Sequence, residues 1–149
     1  MSEPGRAPAP GGPEDDARFS PAPDGPAGDA RFRLFVYGTL RSDAAGSGLL
    51  LRSERIGDAA VDGTLYDLDD YPALMLYGHT RVPGEVWNCP VDLLWQLDEY
   101  EGVDRGLFRR VAVMASGIPC WTYVAGPALA PRLTPDRRLA DGRWNARSP

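Results

Sequence analysis

The chain has 149 residues and a formal charge of -5, with sixteen Arg and no Lys. That length supports one domain, and a weakly acidic chain without a basic block is a poor partner for nucleic acid, where phosphate neutralisation dominates binding. No apolar run approaches the roughly 20 residues of a membrane span, and no charged n-region precedes an apolar h-region, so neither membrane insertion nor a secretory signal is expected.

Residues 1–30 are rich in Pro, Gly, Ala and Asp, with Phe19 as the one aromatic and no Leu, Ile or Val. Such a stretch buries too little apolar area to offset its ordering entropy, and reads as a disordered tail. Six acids against two Arg give it a charge of -4. The texture changes at Arg31. In "RFRLFVYGTLR", Phe32, Leu34 and Val36 fall on one face of a strand, Phe35 and Tyr37 on the other. Apolar residues on both faces predict a strand covered on both sides, ending at Gly38. "SDAAGSGLLLRSE" predicts a short, weak helix capped by Ser42 or Asp43. "RIGDAAVDGTLYDL" reads as two strands joined at Asp62-Gly63, a turn pair common in hairpins. "DDYPALM" reads as a turn followed by apolar residues, where Pro72 argues against a regular central strand. "RVPGEVWNC" is a further short strand.

The stretch from Pro90 to Glu101 predicts an amphipathic helix, with Pro90 at its first position and Gly102 just past its end. "GLFRRVAVMA" and "IPCWTYVAG" form a last strand pair around Gly117. Residues 126–149 read as a second, Pro/Arg-rich tail, in which Trp144 is the one large residue able to dock. Strands outnumber helices and do not alternate with them. The predicted class is therefore α+β, a small mixed, mostly antiparallel β-barrel with a few short helices spanning residues 31–125.

Chemistry-bearing residues are few. Cys89 and Cys120 lack CxxC spacing and read as free thiols in a cytoplasmic protein. His79 is the only histidine, which excludes a four-ligand zinc site and argues against a Ser-His-Asp triad. The helix end "QLDEYEG" gathers Asp98, Glu99 and Glu101. At about 100° per residue, Leu94, Leu97 and Glu101 share a face while Glu99 points about 160° away from Glu101. An inward Glu101 is desolvated and sits at the negative end of the helix dipole. Both effects raise its pKa toward the range of a general acid or base. The pattern leaves a second reading open, in which a terminal helical residue simply bends to water. Likewise the "VYGTL" turn is either a plain connector or a set of amides able to hold an anion. It is not a P-loop, since no GxxxxGK[ST] run exists.

Taken in order, "FVYGTLR", "GTLYDLDDYPAL", "GEVW", "LLWQLDEYEG", "FRRVAV" and "CWTYV" resemble the gamma-glutamylcyclotransferase-like family, nearest to its bacterial and gamma-glutamylamine cyclotransferase branch. The resemblance implies a compact mixed barrel with a cavity at one end. It implies an enzyme that lets the α-amine of a γ-glutamyl compound attack its own γ-carbonyl, giving 5-oxoproline and a free amine or amino acid. Glu101, directly before Gly102, matches the family's catalytic glutamate. Tyr37, Gly38, Thr39 and Leu40 match its substrate loop, and Tyr123 matches a cavity tyrosine. Tyr71, Pro72 and Ala73 read as a cavity wall or a structural turn, Arg41 as a surface residue or a partner for a carboxylate, and His79 as outside the mechanism. No cofactor or metal is expected. The implied partner is a small γ-glutamyl molecule, with no nucleic acid or membrane, in a cytoplasmic monomer or homodimer. The competing reading is a non-catalytic binding or interaction module on the same fold.

Overall fold

The computed structural model describes residues 30–38 and 47–144. The expected N-terminal tail and the residues Thr39, Leu40, Arg41, Ser42 and Asp43 lie outside them, apart from Ala30. Five strands form one sheet in the order β2-β3-β1-β5-β4. β1 (Arg31–Val36) is central. It pairs antiparallel with β3 (Pro72–Pro90) and parallel with β5 (Ile118–Ala125). β2 (Glu54–Asp67) and β4 (Phe108–Ala115) are the antiparallel flanks. The α+β, mostly antiparallel class is as the sequence predicts. No helix among the described residues is long and apolar enough to cross a membrane.

The alternation in β1 has the predicted consequence. Phe32, Leu34 and Val36 join a core cluster with Leu93 and Leu97, while Phe35 joins the opposite cluster with Val82, Val86 and Val124. β1 is thus covered on both faces. The single helix, α1 (Leu93–Tyr100), lies on the first of these faces through Leu93 and Leu97.

Three local expectations are corrected. Asp62-Gly63 is not a hairpin turn, because β2 runs through it unbroken. The irregularity lies opposite. Gly63 pairs with Thr80 and Thr64 with Met75, so the four residues between Met75 and Thr80 bulge from β3. Gly63 is required there because a Cβ would stand 2.5 Å from the Met75 carbonyl oxygen. The real turn follows Asp67, whose side chain accepts from the Asp69 amide at 2.9 Å while Asp69 adopts a φ of 76°. Pro72 opens β3, a position that tolerates its missing N–H, and "PALM" and "RVPGEVWNC" are one strand. Pro90 does not start the helix. It pairs with Arg31 as the last residue of β3, and the Val91 amide extends the contact to the Ala30 carbonyl at 3.1 Å. The start of the weak helix expected after Gly38 lies outside the described residues; Ser47–Leu50 form a 3-10 turn, with Leu50 buried.

The β4–β5 hairpin turns at Ser116 and Gly117, both with positive φ (48° and 84°), as a two-residue connection with right-handed twist demands. The barrel is not closed: no ladder joins β2 to β4. The two edges meet at one point, where the Ser116 amide donates to the Ala60 carbonyl and the Ala60 amide to Ser116 Oγ, both at 3.0 Å.

Residues 126–144 do not form a free tail. Two 3-10 turns, Pro127–Arg132 and Pro135–Arg137, carry the chain back over the sheet. Leu129 is buried in the α1-side core. Arg132 donates to the Leu68 carbonyl at 2.9 Å and Arg137 to the Asp67 carbonyl at 3.0 Å. Leu139 donates its amide to Leu65, and the Trp144 indole reaches Asp67 Oδ1 at 3.2 Å. The sequence gives little warning of this, since the segment binds mainly through Arg donors to main-chain carbonyls and has no periodic apolar face.

Candidate active site

A cavity of about 190 Å³ opens where β1 ends. Val36 and Tyr37 of β1 and its exit form one side, Thr122 and Tyr123 of β5 the floor, and Tyr71 and Pro72 the facing side. Glu101 lies against it at the C-terminal end of α1. Leu97, one turn back, is fully buried, and the Glu101 amide donates to its carbonyl at 2.9 Å. The apolar stripe thus carries the carboxyl inward, while Glu99 is exposed. Gly102 then reverses the chain at φ 67°; a Cβ there would stand 2.7 Å from Leu107 Cδ1. That stop fixes where the helix releases Glu101.

The Glu101 carboxyl is pushed up from 4.5 to about 7, first by burial and then by the negative charge of Asp98. Among the described residues no side chain is hydrogen-bonded to it. Asp98 is different: Arg110 grips it through two contacts, Nε to Oδ1 at 3.0 Å and Nη2 to Oδ2 at 3.2 Å. The Tyr123 hydroxyl donates to the same Oδ1 at 2.6 Å. Arg110 also stacks over Trp121, 4.9 Å from its ring centre. Two carboxylates one helical turn apart therefore have opposite fates. Asp98 is ion-paired with Arg110 and acts as a strut, while its remaining negative field bears on Glu101. The other buried carboxylate, Glu85, does not line the cavity; the Trp87 indole donates to it at 3.0 Å and Arg55 lies 3.4 Å away.

Tyr37, Gly38, Glu101 and Tyr123 are brought together at this end of the sheet. Thr39 and Leu40 lie outside the described residues. The Tyr37 hydroxyl is committed to the fold: it donates to the Tyr123 carbonyl and accepts from the Leu74 amide at 3.2 Å. Burial and then the charge of Glu101 hold that phenol far above its ordinary range. Tyr123 is raised likewise, by burial and the Asp98 charge. Gly38 sits at φ 71°, with Pro72 so close that a Cβ would lie 2.5 Å from Pro72 Cγ. Ala73 is buried in the core, and His79 is exposed in the β3 bulge. Sequence reasoning missed the roles of Asp98, Arg110, Leu107 and Phe108. Arg110 and Phe108 sit in the quoted "LFRR" run, but only the sheet brings them beside α1.

Comparison with known proteins identifies the family. Residues 34–146 match the family described as gamma-glutamyl cyclotransferase, AIG2-like. A Vibrio cholerae protein whose name assigns it provisionally to the gamma-glutamylcyclotransferases is 36% identical over 93 residues, covering 61% of this chain and 79% of its own. The Escherichia coli gamma-glutamylcyclotransferase family protein YtfP is 31% identical over 93 residues, covering 62% and 80%. The solution structure of YtfP superposes with a TM-score of 0.59 at 28% identity, covering 76% of this chain and 96% of that one. An AIG2-like protein from Mus musculus shares the fold, with a TM-score of 0.63 at 19% identity over 78% and 90% of the two chains. With the match spanning the strands, the helix and the returning C-terminal segment, the chain belongs to the gamma-glutamyl cyclotransferase, AIG2-like family.

Proposed function

We propose that this protein is a gamma-glutamyl cyclotransferase in which Glu101 is the general acid and base. The observation that carries the reading is the placement of a half-buried carboxyl, with no hydrogen-bonded side chain among the described residues and a pKa raised to about 7, in a cavity beside the glycine turn that ends β1.

Glu101 takes a proton from the α-ammonium of a γ-glutamyl amide. The freed nitrogen attacks the γ-carbonyl carbon, forming the C–N bond of a five-membered lactam. As the tetrahedral intermediate collapses, the original C–N bond breaks and Glu101 delivers its proton to the departing nitrogen; the ring nitrogen's second proton follows through the same carboxylate, so the amine leaves as an ammonium ion. The products are 5-oxoproline and a free amine, with no net consumption of water. A group that both accepts and delivers a proton works best with a pKa near the working pH. The amides of Gly38, Thr39 and Leu40, the stretch that resembles the family's substrate loop, are assigned to the substrate carboxylate and the developing oxyanion, where one donor contributes about 3–4 kcal/mol. Orientation supplies much of the remainder, because the chain must fold onto itself.

The test is formation of 5-oxoproline from a panel of γ-glutamyl compounds by the purified protein. Glu101→Gln is expected to lower kcat by roughly 10²–10⁴-fold, and Glu99→Gln to change little. A folded Glu101→Gln variant with undiminished turnover would falsify the assignment.

A further inference from the structure

We propose that Arg105 is a specificity-determining residue that holds the carboxylate of an amino acid leaving group, an inference that rests on the cyclotransferase reading above. Tyr100 and Glu101 line the cavity, and so do Leu107 and Phe108. The chain between them, Gly102 to Gly106, therefore loops out of the cavity wall and back into it. Asp104 and Arg105 in that loop are exposed.

The loop has a fixed shape. The Gly102 carbonyl accepts from two amides, that of Arg105 at 3.0 Å and that of Leu107 at 3.1 Å. Gly102 and Gly106 both take left-handed φ, 67° and 74°. The returning C-terminal segment holds the far side: the Gly126 amide donates to the Leu107 carbonyl at 2.7 Å, and the Ala128 amide to the Gly106 carbonyl at 2.9 Å. Within this closed turn the Arg105 side chain folds back over the loop. Its Nη2 lies 2.8 Å from the point where a Gly102 Cβ would stand, and Leu107 Cδ1 lies 2.7 Å from the same point. The guanidinium thus rests in the space that the absent side chain leaves, against the residue that follows Glu101 and beside a residue of the cavity wall.

Among the described residues Arg105 forms no ion pair. Arg110, by contrast, is committed to both oxygens of Asp98. A second carboxylate brought beside Glu101 and Asp98 meets their negative field and needs a cation to rest there. In the cyclisation Glu101 must reach the departing nitrogen. An α-amino acid carries its carboxylate two bonds from that nitrogen, so the carboxylate arrives close to Glu101 and hence to the guanidinium over Gly102. A simple amine brings nothing for Arg105 to hold. The planar fork of donors on Arg matches the two oxygens of a carboxylate, a match that Lys lacks.

γ-Glutamyl-alanine and γ-glutamyl-ethylamide differ only by that carboxylate. Wild type is expected to favour the alanine compound about tenfold in kcat/KM, the equivalent of one charge-assisted contact. The preference should shrink as ionic strength rises. Arg105→Gln is expected to bring the ratio to within about twofold of unity, mainly through a raised KM for the alanine compound, and Arg105→Lys to keep part of the preference. The ratio is a readout that a general loss of folded protein does not move. A ratio unchanged in Arg105→Gln, whether or not both activities fall, marks the residue as structural and overturns the proposal. Equal turnover of the two compounds by wild type overturns it as well. In either case, 5-oxoproline formed from these compounds leaves the cyclotransferase reading standing. 5-Oxoproline from neither compound overturns both readings.

Discussion

At the scale of single residues, the site turns on how two acids on one helix are treated. Glu101 was legible from the sequence because its cause is local: the 3.6-residue period places it on the stripe of Leu94 and Leu97. The role of Asp98 was not, because Arg110 comes from β4 and Tyr123 from β5, and only the packed sheet brings them to α1. The pair predicts a pH signature. kcat/KM should rise with pH through about 7 as Glu101 deprotonates. Asp98→Asn removes the charge that helps hold Glu101 protonated and leaves Arg110 uncompensated, so the acidic limb should move to lower pH; a merely structural Asp98 leaves that limb in place. The same carboxyl costs stability. The folded state holds its proton up to about pH 7 and the unfolded chain releases it above 4.5, so stability falls as pH rises between those values. The upper bound of that loss is about 3 kcal/mol. Glu101→Gln should therefore be more stable than wild type at about pH 8 and lose that advantage near pH 4.5, as read by urea unfolding at both pH values.

At the scale of elements, β1 was legible because apolar residues on both of its faces mark a strand covered on both sides, and β4 and β5 because Gly117 marks the turn between two strand-like runs. Asp62-Gly63 misled because its turn chemistry is real, but thirteen paired positions along β3 override it and move the irregularity to the partner strand. Pro90 misled for a related reason: pairing with Arg31 keeps it on the sheet. The returning segment after β5 was legible only at Trp144, because its other anchors are Arg-to-carbonyl bonds and scattered apolar side chains without a period, of which one is fully buried. Leu129 is that side chain, 2% exposed. Leu129→Ala should lower the unfolding free energy by about 2–4 kcal/mol, measured by chemical denaturation. Because Arg132 braces Tyr71 from behind, loosening this segment should also weaken substrate affinity, seen as a raised KM.

At the scale of the whole molecule, the open sheet behaves as a barrel fastened by one clasp. Ser116→Ala removes the acceptor for the Ala60 amide, while the Ser116 amide can still donate to Ala60. Amide exchange at Ala60 should accelerate well beyond that of neighbouring β2 positions, and an unchanged rate would show that the edges are held by packing alone. The parallel pairing of Leu34 with Trp121 has a different kind of consequence. The middle of the sheet joins the first strand to the last, and the cavity floor, Thr122 and Tyr123, comes with that last strand. A nascent chain can zip β2 to β3 early, since they are sequence neighbours. It then holds one long edge of β1 unpaired until nearly all of the domain has been synthesised. High contact order of this kind slows folding and exposes strand edges meanwhile. The cavity is thus completed late in synthesis, and no N-terminal fragment, however long its paired strands, contains any of its floor before β5 emerges.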